Sequence, residues 1–548
     1  MIDRIQDEAL AKVDCQDQLR LESERSPWEQ AWCEIDERFP SGAGGFNKIT
    51  PGTIRGHRNY DSTHITALER FAAAGVAITT PEEQDYIRPR FLDEELMKLP
   101  EVQLWTERAG RRLYAIRHAA HTGFGISVNE DWDQLGRYGT SAVWQEATQT
   151  GIIYRTLHLS ETWIDVDFAG RVNRVHRKFE RSAAQLAELF GEEALTQKMR
   201  DALKPVGGDP NRKFEILHVV APNTKWDRER LDFNRFPIVS RYLAMDEKVY
   251  LRRRGFFTMP ISVSRHMTSA GEIYGRSPAF KVMPNIQGVN AMKLTTLRAA
   301  HKAVDPALLF YDDNGATSLS SRPGGMNPGF VDEAGRAMVA RMPGGENGIP
   351  FALEMIQDEQ STVRTAFLEE FYATLTDPNS RMTTTEVLER IAKQGVLVRP
   401  FASRYATEKQ HPMTQRDLDL ALRAEQIDPF PDVVKEAGAW PVIDYENPLA
   451  QMARAESVQK DLRGIEALVP LVNFDPSVVD LIDTDVMARN TLMDIGVRPS
   501  SIRSPEDIAA RRAQRAETEQ AAVDSQLLAS SAGAAKDFAQ AGAISEGL

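Results

Sequence analysis

The stretch YGRSPAFKVMPNIQGVNAMKLTTLRAAHKAVDPALLF, residues Tyr274–Phe310, predicts one long helix between two regions of very different sequence texture. A glycine near its start suits a backbone conformation that other residues resist, Ser277 can cap a helix, and the next proline fits the first turn. Pro284 predicts a kink or a restart, apolar residues then recur at helical spacing, and Asp305 followed by proline ends the run. As a helix, residues 285–304 span about 30 Å.

Length and composition indicate a large globular protein. A chain of 548 residues corresponds to roughly three or four folding units. The charged fraction of 26% and the hydrophobic fraction of 42% are ordinary, and no window supplies the run of about 18 apolar residues that a membrane span needs. The N-terminus lacks the apolar core of a secretory signal, so we expect the protein to stay in the cytoplasm. Cys15 and Cys33 lie outside any C-x-x-C pair, which predicts idle thiols.

The formal net charge of −13 argues against a protein that grips nucleic acid over its whole surface, because phosphate binding relies on clustered Lys and Arg. Weak adhesion is nevertheless an advantage for a passage through which nucleic acid must slide. The acidic balance therefore argues against a protein that clamps nucleic acid tightly, but it is compatible with one that forms a passage for nucleic acid.

The first 120 residues read as mostly helical. Residues 3–24 and 27–38 predict two helices, separated by a capping box with a proline at Ser26–Glu29. The Gly-rich segment 41–56 lacks the Gly-Lys pair of a phosphate loop, as does the whole chain, so it predicts a flexible connector. Helical periodicity resumes from Tyr60 and again from Glu94.

Residues 140–260 change to a period of two and predict an antiparallel sheet in an α+β block. A hairpin turns at Ala169-Gly170, and Asp165 and Asp167 alternate with apolar residues on its first arm. The two aspartates leave a metal site open, but alternate acidic residues on a strand usually form its solvated face, which we favour. The Arg252–Arg254 run likewise leaves phosphate contact open, with a solvated or intersubunit face preferred.

Residues 305–352 crowd glycines and prolines around short candidate strands, which predicts a small protruding module. None of these glycine runs leads into a helix with Lys-Ser/Thr, so tight turns explain them better than a nucleotide loop. A second helix is predicted from Phe351 to Leu375, with Val363 and Phe367 on its apolar side. The order is helix, compact Gly/Pro module, helix.

Three segments in this order resemble the head-to-tail connector, or portal, proteins of T7-like short-tailed bacteriophages. They are YGRSPAFKVMPNIQGVNAM with the following LRAAHKAVDPALL, MTTTEVLER (Met382–Arg390) and YENPLAQMARAESVQ (Tyr445–Gln459). The resemblance extends from about Tyr60 to about Arg515. The Ala/Ser-rich tail from Ala521 is not diagnostic.

The resemblance implies an α+β portal fold with a helical wing and crown, an antiparallel β wing, a two-helix stem and a small α/β clip, assembled as a ring. The regions that it implies are listed in chain order: wing 1–272, stem helix 273–304, clip 305–350, stem helix 351–375, tunnel loop 376–385, wing return helices 386–460, and crown with C-terminal tail 461–548. The Arg511-Arg512 pair falls in the last region, and we favour a solvated or intersubunit face for it over phosphate contact.

The resemblance also assigns residues to these regions. The stem set consists of Tyr274, Gly275, Arg276, Ser277, Pro284, Gly288, Val363 and Phe367. The clip set, expected to dock the packaging motor and then the tail adaptor, consists of Asp312, Asp313, Arg322 and Arg341. The tunnel loop would project Asn379, Ser380 and Arg381 toward DNA, although a plain polar turn between helices remains the alternative.

The implied partners are further copies of the chain, typically twelve, and double-stranded DNA bound without sequence specificity. The others are the large terminase subunit, a tail adaptor, and the major capsid and scaffolding proteins, with no membrane, cofactor or metal. The implied location is a capsid vertex of the virion, after assembly in the host cytoplasm. Because the chain has no Walker A motif, ATP hydrolysis for packaging would come from the separate terminase.

Three alternatives stay open from the sequence. A tail adaptor or collar ring is disfavoured by the helix, clip, helix order and by the length of the chain. An enzyme is disfavoured by the absence of H-E-x-x-H and G-x-S-x-G motifs, although a site built from distant residues would escape such a search. A nucleic-acid binding module is disfavoured by the acidic balance.

Overall fold

The computed structural model describes residues 2–40, 45–47, 53, 56, 58–82, 85–148, 151–304, 308–310, 334, 336, 339–341, 348–369, 400–445, 483–494, 501, 503 and 507–521. The chain divides into two compact units. The first combines Met1–Tyr86 with Arg112–Ile427, and the second combines Ile87–Arg111 with Asp428–Leu548.

The described elements confirm the α+β class. The helices are α1 (Ile2–Arg38), α2 (Thr63–Thr79), α3 (Glu94–Lys98), α4 (Pro100–Arg117), α5 (Phe124–Tyr138), α6 (Ala183–Phe190), α7 (Gln197–Ala202), α8 (Pro278–Val304), α9 (Ile349–Ala366), α10 (400–423), α11 (Asp432–Ala437), α12 (Thr484–Asp494) and α13 (507–521). The strands are β1 (Ile87–Arg90), β2 (Thr140–Thr148), β3 (Gly151–Leu157), β4 (Thr162–Val166), β5 (Val172–Ser182), β6 (Lys213–Pro222), β7 (Ile238–Ala244), β8 (Val249–Phe256), β9 (Ile261–Arg265), β10 (Leu308–Phe310), β11 (Val339–Arg341) and β12 (Val442–Tyr445).

The first unit contains a five-stranded antiparallel sheet in the order β4-β5-β6-β7-β8. One face packs on α1, where Ala11 and Cys15 meet Leu217 and Leu243. The opposite face packs on α6 and α7 through a second buried cluster that includes Phe179, Leu186, Phe190, Met199, Ile216 and Ala244. Both faces are therefore buried, which explains why apolar residues occur at consecutive positions along β6.

A three-stranded antiparallel sheet in the order β3-β2-β9 lies in the same unit. In β2, Ala142 pairs with Leu157 of β3 on one side and with Val263 of β9 on the other. The sequence predicts β2 and β3 but not β9. Strand β9 has only five residues, and all five are buried, so it lacks the alternation of apolar and polar residues by which a strand is recognised. Helix α5, which contacts both β2 and β3, ends directly before β2 begins.

The prediction of two N-terminal helices is wrong. Helix α1 is continuous from Ile2 to Arg38 and includes Pro27. Pro27 has no N–H to donate to the Ser23 carbonyl, four residues earlier. Both residues are exposed, so water can donate to that carbonyl instead. The buried guanidinium of Arg25 meanwhile donates to the carbonyl oxygens of Leu159 and Thr162 at 2.9 and 2.8 Å, which holds the helix on the sheet across the proline.

The prediction of a solvated face for Asp165 is also wrong. Helix α1 covers this face of β4, and Asp165 Oδ2 accepts a 2.6 Å bond from Arg20 of α1. Asp167 instead organises the hairpin turn by accepting from the backbone N–H groups of Ala169 and Arg171. The turn at Gly170, where φ is +76°, is confirmed.

A proline in a helix interior usually breaks or kinks the helix, but Pro412 does not break the helix around it. Helix α10 runs from residue 400 through a π-helical turn at Ala406–Gln410 and continues from His411 to Arg423. The π turn adds one residue to the helical turn directly before the proline. It shifts the hydrogen-bonding pattern at the point where proline lacks an N–H donor, so the helix can continue. The extra residue also turns both Lys409 and Gln410 into the interior.

The second unit contains a two-stranded ladder of β1 and β12, in which Ile87 pairs with Tyr445. Aromatic rings of Phe91, Trp105 and Phe430 pack beside it, and Trp105 Nε1 donates to the Asp428 carbonyl at 2.9 Å. The sequence does not predict this ladder, because its two strands lie some 350 residues apart and have four residues each.

Candidate functional site

Helix α8, the first predicted stem helix, begins at a capped and buried N-terminus. Ser277 Oγ accepts from the backbone N–H of Phe280 at 2.8 Å and donates to the carbonyl of Arg137 at 2.6 Å. The same side chain thus satisfies an orphan donor of α8 and ties it to the end of α5. The capping serine and the proline of the first turn form as the sequence predicts.

A backbone crossing of Gly139 and Gly275 lies directly before that cap. Gly139 has φ +75°, and a Cβ there would fall 2.4 Å from the Gly275 carbonyl oxygen. A Cβ at Gly275 would fall 2.2 Å from the Gly139 carbonyl oxygen, and the Gly275 N–H donates to Thr140 Oγ1 at 2.9 Å. The two backbones approach so closely that neither position tolerates a side chain.

Tyr274 is an internal anchor in the single chain. Its ring packs edge-on against Trp32 at 5.2 Å, and its hydroxyl accepts from the backbone N–H of Ile164 at 3.3 Å. Burial raises the pKa of Tyr274 to about 12, so the hydroxyl keeps its proton at every relevant pH.

Arg276 lies at the edge of this cluster and is half exposed. Its guanidinium pairs with Glu272 at 2.5 Å and lies over the rings of Phe280 and Trp28. The hydrogen bond to the Glu272 carboxylate raises the pKa of Arg276, so the guanidinium stays charged. This residue and Tyr274 connect the loop before α8 to α1.

Helix α8 continues through Pro284, so the predicted restart does not occur. Pro284 is exposed. Water can therefore donate to the helix carbonyl that the proline leaves without an intrahelical donor. A Cβ at Gly288 would meet no atom within 4 Å, so packing within the chain does not require glycine there. Asn290, which the sequence did not single out, accepts from the Tyr60 N–H at 2.6 Å and donates to the Arg58 carbonyl at 2.9 Å.

Burial in α8 ends at Asn290. None of residues 291–304 is buried, and these 14 residues of the 27-residue helix extend for about 21 Å. The side chain of Lys293 pairs with Asp61 at 2.7 Å, and beyond it Leu297 and Val304 are 46% and 87% exposed. The helix therefore has an anchored half, residues 278–290, and a projecting half, residues 291–304.

Helix α9, the second predicted stem helix, packs beside α8 and repeats this division. Val363 and Phe367 are buried, and the Phe367 ring lies 6.1 Å from both Phe39 and Phe71. At the other end of α9, Phe351, Leu353 and Met355 are exposed. Asn285 Nδ2 bonds Glu359 Oε2 at 2.7 Å and links the two helices.

Helix α10 is held in the first unit by buried charge pairs. Lys409 Nζ lies 2.7 Å from Asp131 Oδ1 and donates to the Ser262 carbonyl at 2.8 Å, with both charged groups fully buried. Burial lowers the pKa of Lys409, and the aspartate opposes that change. Arg117 and Asp417 form a second buried pair at 2.6 Å. Removing one member of either pair would leave an uncompensated charge in the interior.

The described residues offer no arrangement for a metal ion, since no group of three or more His, Cys, Asp or Glu side chains converges within them. No described helix is both long enough and apolar enough to cross a membrane.

The remaining predicted site residues are not part of the described structure. Asn379, Ser380, Arg381, Asp312, Asp313 and Arg322 lie outside the described residues, and Arg341 belongs to β11, for which only the backbone is described. Their roles stay predictions. The structure brings together the set from Tyr274 to Ser277 at the base of α8, and Val363 with Phe367 at the base of α9.

Comparison with known proteins gives matches along most of the chain. A family model described as bacteriophage head to tail connecting protein matches residues 16–502. The probable portal protein of Bordetella phage BPP-1 is 25% identical over 525 residues, which cover 93% of this chain and 92% of that protein. The portal protein of Salmonella phage epsilon15 is 22% identical over 522 residues, covering 92% and 90%.

Two solved assemblies also match at low similarity. A chain in the virion of a native gene transfer agent particle matches with a TM-score of 0.38 and 11% identity, covering 80% of this chain and 89% of that chain. A chain in the neck of an empty gene transfer agent particle, computed with C6 symmetry, gives a TM-score of 0.35 and 12% identity over 72% and 84%.

Proposed function

We propose, since this chain belongs to the bacteriophage head to tail connecting protein family, that it forms a portal ring at one capsid vertex through which double-stranded DNA is packaged and ejected. The observation that carries the proposal is the match to two portal proteins over more than nine-tenths of this chain. The narrower placement among T7-like phages belongs to the proposal as well.

Membership in the family gives the broad class. The protein is a structural component of the virion at the neck, where head and tail connect, and it is not an enzyme. A smaller adaptor or collar ring is the weaker alternative, because the curated portal proteins and this chain match almost end to end.

In the proposed ring, α8 and α9 form the stem, and their anchored ends join it to the wing. The projecting half of α8 and the exposed end of α9 supply exposed side chains, among them Leu297 and Phe351, for contacts with neighbouring copies. Gly288, whose Cβ position is empty within the chain, then lies on a helix surface open to close packing by another helix.

The proposed conduit acts by width and charge. A ring fixes the diameter of the passage, and the net charge of −13 limits adhesion of the phosphate backbone. The tunnel loop, residues 376–385, would contact the duplex without reading bases. The clip, residues 305–350, would dock the terminase and later the tail adaptor, and capsid and scaffolding proteins would surround the ring.

Native mass spectrometry combined with negative-stain imaging tests the ring. We expect a closed assembly of about twelve copies with a central hole, as the family resemblance implies. A monomer or dimer without a hole, at every salt concentration tried, would contradict the ring.

Deletion of Pro378–Met382 tests the loop separately. We expect rings that assemble normally but package or retain less DNA, measured as the DNA content of assembled heads. A control deletion of Gly207-Gly208, in the connection before β6, removes a loop segment of the wing instead. Normal DNA filling in heads that carry the tunnel-loop deletion would reject this role.

A further inference from the structure

The edge of the five-stranded sheet at β8 is an open strand edge. The sheet order ends with β8, which pairs with β7 on one side. Within the described part of the chain, Val249–Phe256 make no backbone–backbone hydrogen bonds except those to β7. Exposed edges of this kind can accept a further strand, because every second N–H and C=O group along them points outward.

A cavity of about 600 Å³ runs along this edge. It is lined by the consecutive residues Val249–Arg253. Leu251 belongs to the cluster on α6 and α7, whereas Tyr250 packs against the cluster on α1, so a cavity lined by both residues follows the edge between the two faces. The ladder with β7 skips Leu251, which marks a β-bulge within this stretch. Its two walls come from the layers that cover the sheet, with Arg200 of α7 on one side and Glu8 of α1 on the other.

The lining of this trench, defined as the cavity along Val249–Arg253, is basic in an acidic protein. Four cations line it against the two carboxylates of Glu8 and Glu247, while the whole chain carries −13. The cations are Arg200, Lys248, Arg252 and Arg253. Burial and the neighbouring Arg254 lower the pKa of Arg252, as expected where positive charges crowd.

The trench also contains an apolar contact for a strand. Val249 is 46% exposed at its entrance, and Leu195 forms part of the wall. Backbone groups at the edge, an apolar contact and surrounding cations are together what an extended acidic peptide requires. Charged side chains on an edge strand also discourage aggregation, and that simpler explanation predicts no ligand.

We propose that the β8 edge is a docking site for an extended acidic segment of a partner protein, which adds to the sheet as a sixth strand. The backbone groups of β8 provide register and affinity. The cations on either side select an acidic segment and reject a basic one. This site lies in the wing sheet and is separate from the proposed stem, clip and tunnel loop.

Peptide binding to the assembled protein tests the proposal. The probe is a fluorescein-labelled peptide of alternating valine and glutamate, followed by fluorescence anisotropy, and the control probe replaces glutamate with lysine. We expect the acidic peptide to bind at least about tenfold more tightly than the basic peptide, with affinity falling as NaCl rises from about 50 to about 500 mM.

Hydrogen exchange provides the readout that distinguishes strand addition from loose ionic contact. Binding of the acidic peptide should slow exchange at outward-facing amides within Val249–Phe256 while leaving amides of β4, the opposite edge, unchanged. Binding that leaves the β8 amides unprotected would overturn the proposal. Amides already protected by a neighbouring copy, together with absence of peptide binding, would overturn it equally.

A pair of double variants tests the cations. Arg200→Ala with Lys248→Asn removes two exposed charges, and asparagine tolerates the left-handed backbone of Lys248, where φ is +55°. We expect this variant to bind the acidic peptide at least about fivefold more weakly. The matched control, Arg171→Ala with Lys213→Asn, removes two exposed charges elsewhere, and equal weakening in both variants would contradict a local site.

Discussion

The two halves of α8 have the same backbone and opposite surroundings. Residues 278–290 place seven buried residues against the first unit, whereas none of residues 291–304 is buried. The N-terminus is fixed by Ser277 and by the Gly139–Gly275 crossing, and Asn290 makes the last buried polar contact. The anchored half is thus packed against other residues of the same chain, whereas apolar side chains of the projecting half, such as Leu297 and Val304, are exposed.

This difference separates two roles that helix propensity alone cannot distinguish. Burial of the anchored half contributes to the free energy of folding of each chain. The exposed apolar residues of the projecting half contribute little to that free energy and remain available for contacts between chains. Substitutions should therefore divide into those that unfold the chain and those that act on assembly.

Gly139→Ala should have the largest effect. A methyl group would meet the Gly275 carbonyl oxygen and the backbone at Arg276, and the residue would also hold a left-handed conformation. We expect a loss of more than about 4 kcal/mol of unfolding free energy, measured by urea denaturation at fixed protein concentration. Gly288→Ala, with space around its Cβ, should instead raise stability by about 0.5–1 kcal/mol. Equal loss in both variants would show that the crossing is not the cause.

The sequence predicts the cap of α8 but not this crossing. Ser277-Pro278 is a local signal that depends on residues within one turn. Gly139 and Gly275 are 136 positions apart, and each alone reads as an ordinary turn glycine. The same limitation hides the β1–β12 ladder and Asn290, because their partners are chosen by tertiary packing and not by neighbouring residues.

Phe367→Ala should have the next largest effect. Phe367 is fully buried between Phe39 and Phe71, so its removal leaves a cavity and costs about 3 kcal/mol. Phe351→Ala is the matched control at the other end of α9, since Phe351 is 66% exposed and its truncation should cost less than about 0.5 kcal/mol in the single chain. Denaturation of both variants gives the difference directly. Comparable costs would mean that the exposed end of α9 is packed in the folded chain.

Prolines show a second limit of sequence prediction. A proline within a helical pattern is a local signal for a break, yet Pro27, Pro284 and Pro412 each lie within a continuous helix. For Pro27 and Pro284 the ring lies on an exposed surface, and at Pro412 a π turn precedes it. A proline in the sequence predicts the loss of one helix hydrogen bond. Whether water or a π turn compensates for that loss depends on the packing around the helix, which the local sequence does not show.

Acid should lower the unfolding free energy of the first unit, which contains His118, His176 and His266. Burial lowers the pKa of His118, His176 and His266 from 6.5 to about 4. The unfolded chain therefore binds protons that the folded chain does not, so stability is complete above about pH 6.5 and falls as the pH drops toward about 4. Urea denaturation between these pH values measures this slope. His176→Gln should reduce the slope, and an unchanged slope in this variant would contradict the role of His176.

Leu297→Ala should have the smallest effect on the single chain, and its value lies in the contrast with Ile286→Ala. Ile286 is buried in the anchored half, so its truncation costs about 2–4 kcal/mol of unfolding free energy. Leu297 is 46% exposed in the projecting half, so its truncation should change that free energy by less than about 0.5 kcal/mol. If the projecting half contacts neighbouring copies in a ring, Leu297→Ala should still shift the protein concentration at which assemblies dissociate, measured by native mass spectrometry. An unchanged dissociation concentration would remove this residue from the contact between copies, whereas a large loss of single-chain stability would show that the two halves of the helix do not differ as their burial indicates.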